Sequence, residues 1–518
     1  MSPNGMTRRE LLKMGAAGAA GAALTISGLP KIAAAAEQAS AALRATPRGA
    51  PFADPEELAL TTVAGGVREG SLTVAETDLN LGGSRARLLA YNGTVPGPLV
   101  RVRSGDTLRL NLHNGLAAGG TNPLGEQRGV TNLHTHGWHV APADPADNVM
   151  RRLAPGESWT YTYDLGRQPA GTLGWYHPHV HGLVAEQLWG GLAGPLVVED
   201  PTDALSHYKT HVLVLKDFTL VNGRPAPYYS PMDYMMGKVG TTVTVNGQAE
   251  PELAARPGTV QRWRLLNAST ARFYRVALDR HRLSVIGSDG GLLDKPYGVA
   301  ELLLAPGERA DILVKVSRTP GVYRLRTLPY SRGGMMGGGM MGGAATPQAT
   351  LLTLHVAGRK AIKRLPATID PLAQRARPDL SGAVRRRFVL GMGMGMGMGM
   401  GRGYINGHDY DVDPLVVRSQ LPASGDAWEL WTIDNPTGMD HPWHQHTNHA
   451  QVLSISGGDA TYAALYTQAP AWKDTVIVPR GGSVTQLVKV SDWRGMAMFH
   501  CHIVEHEDIG MLGVWEID

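Results

Sequence analysis

Cysteine is nearly absent: one residue in 518. A lone cysteine excludes an internal disulfide framework, so the compartment has to be read from targeting signals instead. Phenylalanine is scarce, at five residues, and segments with helical periodicity are few. The N-terminal apolar stretch is too short and too Gly-rich to favour spanning a bilayer, and no later segment reads as transmembrane. Excess charge is lacking too. Lys and Arg number 49 against 45 Asp and Glu, a formal net charge of +4. That balance leaves no electrostatic footprint for nucleic acid. The one dense basic run, Arg385-Arg386-Arg387, reads as a solvated edge. What the chain does have is length for more than one domain and many alternating Val/Leu/Thr runs. Residues 99–103, 107–112, 241–245, 260–266, 310–316 and 484–490 all read as strands. The chain reads as mainly β, built of sandwich or barrel domains.

The lone cysteine sits in His500-Cys501-His502, followed by His506 and Met511. On a strand, side chains alternate between faces, so Cys501 points one way and both histidines the other. One short step of chain then joins two metal centres. Thiolate, imidazole and a weak thioether form the ligand set of a blue-copper electron-transfer site. The competing reading is a small buried hydrophobe. Three further pairs outweigh it: His134-Thr135-His136, His177-Pro178-His179 and His444-Gln445-His446, the last with His441 just ahead. Residues i and i+2 share a strand face, so each pair presents two imidazoles to one site.

These clusters resemble the four copper signatures of the multicopper oxidases, the family of laccases and bacterial cuprous oxidases. The resemblance extends to Tyr91-Asn92-Gly93-Thr94-Val95-Pro96-Gly97-Pro98, Ala154-Pro155-Gly156-Glu157-Ser158-Trp159 and Gly190-Gly191-Leu192-Ala193-Gly194-Pro195. It covers residues 58–518 and is nearest to methionine-rich bacterial members. It implies three cupredoxin-like Greek-key β-sandwich domains and four copper ions. His441, Cys501 and His506 would hold the type 1 copper, with Met511 axial. His134 and His444 would hold the type 2 copper. His136, His177, His179, His446, His500 and His502 would hold the type 3 pair. His139 and His181 fall outside the pattern and read as orienting or surface residues.

The implied activity is one-electron oxidation of phenols, aromatic amines or Cu(I), coupled to four-electron reduction of dioxygen to water. Electrons would enter near His441 or His506 and leave through Cys501 to His500 or His502. Methionine at position 511 favours easily oxidised donors. Oxygen reduction consumes protons, so Glu507 and Asp147 are candidate relay acids. Each has a second reading, as a carboxylate that orients an imidazole. Met439 and Asp440 are candidates for docking Cu(I). The alternative function is copper binding or buffering for copper tolerance, without significant turnover.

Thr7-Arg8-Arg9-Glu10-Leu11-Leu12-Lys13, an apolar Ala/Gly stretch and Ala34-Ala35-Ala36 resemble a twin-arginine export signal. The expected organisation is a signal over residues 1–36 and domains over 37–200, 201–366 and 367–518. The second domain has no His-x-His and reads as a spacer. The mature enzyme is expected in the periplasm or secreted, without a membrane span. Residues 333–343 and 391–401 alternate glycine with methionine. Glycine keeps such segments flexible, and thioethers select Cu(I), so both runs read as Cu(I)-capture loops, the alternative being disordered loops with no specific role.

Overall fold

The structure, a computed structural model, describes residues 48–199, 205–334, 345–394, 401–423 and 425–518. The export signal, the boundary at residue 200 and Met335, Met336, Met340, Met341, Met396, Met398 and Met400 lie outside the described residues. Each strand read from the sequence is present, with ends shifted by no more than two residues: Val100–Arg103, Thr107–Asn114, Thr242–Val245, Val260–Asn267, Arg309–Lys315 and Gly482–Val490. Alternation is the cause. In Thr107–Asn114, Leu108, Leu110 and Leu112 are fully buried, while Arg109 faces out.

The strands form six main sheets in three pairs, drawn from residues 61–199, 209–356 and 384–517. Each of the six contains one parallel pairing among antiparallel neighbours. In the first pair of sheets, Arg68–Leu81 runs parallel to Thr107–Asn114, and Val100–Arg103 to Gly194–Glu199. In the second, Lys209–Phe218 runs parallel to Val260–Asn267, and Glu252–Ala255 to Ala349–Val356. In the third, Val384–Met394 runs parallel to Ala427–Asn435, and Leu415–Ser419 to Leu512–Ile517. A parallel pair cannot close through a hairpin and needs a crossover. Its recurrence in every sheet is the mark of one Greek-key sandwich used three times, and the fold is three cupredoxin-like β-sandwiches.

Val260–Asn267 is buried at all eight positions and is an interior strand, paired on both edges with Lys209–Phe218 and Arg309–Lys315. Residues 357–383 form no strand and are tied down in the middle of their course. Ile369 N donates to Asp294 O, while Arg375 donates to Ala469 O and Val452 O. The apolar cores of the second and third sheet pairs run together as one cluster.

Two of the five phenylalanines pack beside the site. Phe388 and Phe499 pack with Trp431 and Trp443, and Phe388 lies 4.9–5.0 Å from each of the three other ring centroids. Trp443 is paired in register with Cys501. Phe388→Ala is expected to cost about 3–5 kcal/mol through a cavity that aromatic neighbours cannot refill. Denaturant unfolding of the purified variant measures it; a loss below about 1 kcal/mol would contradict this packing account.

Candidate metal centres

Two strands of the third sheet pair build the cysteine site. His441–Gln445 runs antiparallel to Gly495–Cys501, with Trp443 opposite Cys501 and His444 opposite His500. His506 comes from the short helix Val504–Asp508. His441 Nδ1 lies 3.4 Å and His506 Nδ1 3.5 Å from Cys501 Sγ, and the two nitrogens are 3.2 Å apart. The far side of each ring has a partner. His441 Nε2 donates to Thr437 Oγ1 at 2.9 Å, whose own proton goes to Asn435 Oδ1. His506 Nε2 donates to Met235 O at 3.1 Å. Both rings are thereby fixed with Nδ1 toward the sulfur. Met511 folds back beside them: its amide donates to His506 O, and its carbonyl accepts from Cys501 N at 3.1 Å. All four residues are fully buried. Burial pushes the Cys501 thiol up and brings His441 down to about 3, so without a cation the site is neutral.

The other eight histidines converge on a second site between the first and third sheet pairs. His134, His444 and His446 place ligand atoms within 4.8 Å of one another, as do His179, His446 and His500. His136, His177 and His502 have ring centroids 4.9–5.8 Å apart. Only His134–His136 lies wholly on a strand. His177, His444 and His500 are on strands, whereas His179, His446 and His502 lie just past the strand ends. The shared-face picture therefore holds for one pair, and the other three are presented at strand ends. Pro178 supplies one physical reason, since it has no N–H to continue a ladder. At the other ends the backbone crosses to new partners: His446 N donates to Met498 O and His502 N to Pro442 O.

Burial lowers His134, His136, His177, His179, His446, His500 and His502 well below the usual imidazole range. They are neutral donors, the form a metal requires. His134 Nε2, His136 Nδ1, His177 Nε2, His444 Nε2, His446 Nδ1 and both nitrogens of His502 are buried without a hydrogen-bond partner. Such orphaned atoms are costly unless something else satisfies them. An all-imidazole donor set of this kind fits copper, zinc or iron. Beside a thiolate–diimidazole site with a methionine close by, the combination fits copper.

The two candidate acids occupy different positions. Asp147 Oδ2 accepts from His134 Nδ1 at 2.8 Å, and Oδ1 accepts from Thr135 N and Oγ1. Burial raises it to about 6 against those bonds. Asp144 instead pairs with Arg151 at the surface. Glu507 lies fully buried, 3.2 Å from His500 Nδ1 and 3.5 Å from His179 Nδ1. The Nδ1 of His500 already donates to Cys501 O at 3.1 Å. Burial and the neighbouring Asp508 raise Glu507 well above the carboxylate range.

His139 Nδ1 donates to Thr447 O and His181 Nε2 to Asp411, so neither joins the cluster. Asp440 is committed to Tyr330 and Arg480 N. The sequence reading missed Asp474, which accepts from His136 Nε2 at 3.1 Å, and whose carbonyl accepts from His444 Nδ1 at 3.0 Å. Burial alone would raise Asp474, but the Arg309 guanidinium outweighs it and holds the carboxylate well below its usual range.

Three multicopper oxidase domain families match the chain, over residues 73–203, 174–344 and 384–518. The chain belongs to the multicopper oxidase family. Among relatives of this multicopper oxidase, a Staphylococcus aureus multicopper oxidase is 27% identical over 83% of this chain and 84% of its own length. The cell division protein FtsP of Yersinia pestis is 31% identical over 83% and 85%. The multicopper oxidase of Campylobacter jejuni, a metallo-oxidase, superposes with a TM-score of 0.77 at 26% identity, covering 92% of this chain and 96% of that one. The likeness to that multicopper oxidase extends over nearly the whole chain.

Proposed function

We propose that this multicopper oxidase oxidises a small reducing substrate, a phenol, an aromatic amine or Cu(I), with dioxygen as acceptor. The observation that carries the reading is the continuity of His500-Cys501-His502: the cysteine of one site is bonded in sequence to two histidines of the other. In this reading His441, Cys501, His506 and Met511 hold one copper. His134 and His444 hold a second. His136, His177, His179, His446, His500 and His502 hold a pair, four ions in all. Copper bound there supplies one-electron oxidation at the cysteine site and reduction of dioxygen to water at the histidine cluster.

The chain's own residues divide the remaining work. Thr437, the partner of His441 Nε2, lines a cavity of about 480 Å³ together with Met392 and Met439. His506 Nε2 is turned instead to the carbonyl of Met235, a residue 1% exposed. The donor therefore docks against the His441 side. Methionine walls suit a soft cation as well as a phenol ring. Asp147 is a positioning residue that fixes the His134 tautomer. Glu507 stores and delivers protons beside His179 and His500. Domain limits at residues 37–200, 201–366 and 367–518, export by the twin-arginine machinery, and a periplasmic or secreted location complete the proposal.

Some relatives are named for cell division rather than oxidation, which favours a second reading without turnover, copper binding alone. Oxygen uptake decides between them. The copper-loaded protein is expected to consume oxygen with Cu(I) and with 2,6-dimethoxyphenol as donors, and the ratio of the two rates ranks the substrates. A protein shown by metal analysis to hold its full copper, yet consuming no oxygen with either donor, would overturn the oxidase reading in favour of copper binding.

A further inference from the structure

The middle sheet pair carries none of the His-x-His pairs, yet one of its turns is packed on the histidine cluster. Gly307 stands at φ +84°, and a methyl group there would meet His502 Cδ2 at 2.9 Å and His136 Cε1 at 3.1 Å. Both the backbone and the space demand glycine. Arg309, fully buried, follows two residues on. Its Nη1 donates to Asp474 Oδ1 at 2.7 Å and its Nη2 to Asp474 Oδ2 at 2.5 Å, a two-pronged grip. Its Nε donates to Leu173 O at 2.8 Å, at the start of the strand that ends in His177. A Cβ on Gly137, the neighbour of His136, would lie 2.0 Å from Arg309 Nη2, so the arginine passes where only glycine leaves room.

Glu308 repeats the grip one residue earlier. Its Oε1 is ion-paired with Lys473 Nζ at 2.8 Å, and Lys473 Nζ also lies 2.9 Å from Asp289 Oδ2. Two consecutive residues of the middle sandwich thus hold two consecutive residues of the third, Glu308 on Lys473 and Arg309 on Asp474. Asp474 then takes His136 Nε2 with its side chain and His444 Nδ1 with its carbonyl. What remains free is His136 Nδ1 and His444 Nε2.

We propose that the Gly307-Glu308-Arg309 turn is a positioning element for the histidine cluster: through Lys473 and Asp474 it selects which nitrogens His136 and His444 offer to copper. The inference rests on the copper reading of that cluster. It makes the middle sandwich part of the site rather than a spacer.

The test uses the full chain with Arg309→Met, Arg309→Lys and Gly307→Ala. Arg262→Met is the control, a buried arginine of the same sheet pair that grips Asp311. Copper content, the EPR spectrum and the charge-transfer absorption of the Cys501 thiolate are read together. The three turn variants are expected to lose copper affinity at the histidine cluster by about 10–100-fold, the usual cost of removing an orienting partner. Their EPR parameters for copper outside the cysteine site change, and the thiolate absorption stays. The control loses stability only. Lysine keeps the buried charge without the planar fork, so Arg309→Lys carries the test if Arg309→Met does not fold. Wild-type copper content and EPR spectra in folded Arg309→Lys or Gly307→Ala would overturn the proposal. A wild-type protein that takes up no copper in the cluster would instead overturn the reading on which it rests.

Discussion

Cys501→Ser is expected to abolish donor-dependent oxygen uptake, by more than the 10–100-fold that loss of an outer partner costs a metal site. Serine is nearly isosteric, so the strand Gly495–Cys501 and its pairing with His441–Gln445 should persist. What disappears is the soft, covalent sulfur ligand, since a hydroxyl remains protonated and hard. Both imidazoles of that site have their outer nitrogens fixed, to Thr437 and to Met235 O. They would still face the serine, so a loss of rate reports the sulfur and not a collapsed site. Copper content of the histidine cluster should be retained, because none of its eight side chains hydrogen-bonds to Sγ. Oxygen uptake and metal analysis on the same preparation check both halves. A serine variant with more than about a tenth of wild-type turnover would rule out Cys501 as the electron path.

Glu507→Gln carries the second large effect, a fall in turnover of about 10²–10⁴-fold with copper content and thiolate absorption unchanged. The geometry favours proton delivery over orientation. Orientation of His500 does not depend on Glu507, because its Nδ1 already donates to Cys501 O. Neither carboxyl oxygen has a hydrogen-bond partner, and both lie within 3.5 Å of cluster imidazoles. Burial and the neighbouring Asp508 raise this carboxyl above its usual range, which favours its protonated form. Beside it Asp508, pushed up by burial to about 7, accepts from Gly182 N and Ala185 N. Glutamine keeps the shape and the polarity and removes only the transferable proton. Steady-state rates at saturating donor measure the effect. Wild-type turnover in Glu507→Gln would leave the residue a purely structural part.

The strand pattern and the twelve candidate ligands were legible because their signals are local. Alternation marks Thr107–Asn114 within a handful of residues, and His-x-His declares itself in three. The grip on the cluster is not local. His136 and Asp474 are 338 positions apart, and Arg309 and Asp474 are 165. A buried Asp–Arg pair has the same sequence appearance as a surface one such as Arg151–Asp144. Gly307 was hidden for a related reason, since glycine before a strand ordinarily signals only a turn. The geometry at the strand ends was partly readable: Pro178 in the second pair already argued against an uninterrupted ladder. The roles of Asp147 and Glu507 needed distances, because both are carboxylates near histidine motifs and only one lies on an imidazole proton.

The adjacency of Cys501 to two cluster histidines bears on biogenesis. Ligands at His134 and His136 are synthesised long before His500, Cys501 and His502, and the Arg309 turn is made between them. No nascent chain can assemble the histidine cluster until translation has passed His502, or the cysteine site until it has passed Met511. Metal that binds only the finished assembly stabilises it by mass action. Copper acquisition is therefore a post-translational checkpoint: truncated or misdocked chains lack the joint between the first and third sandwiches, and with it the means to retain the metal.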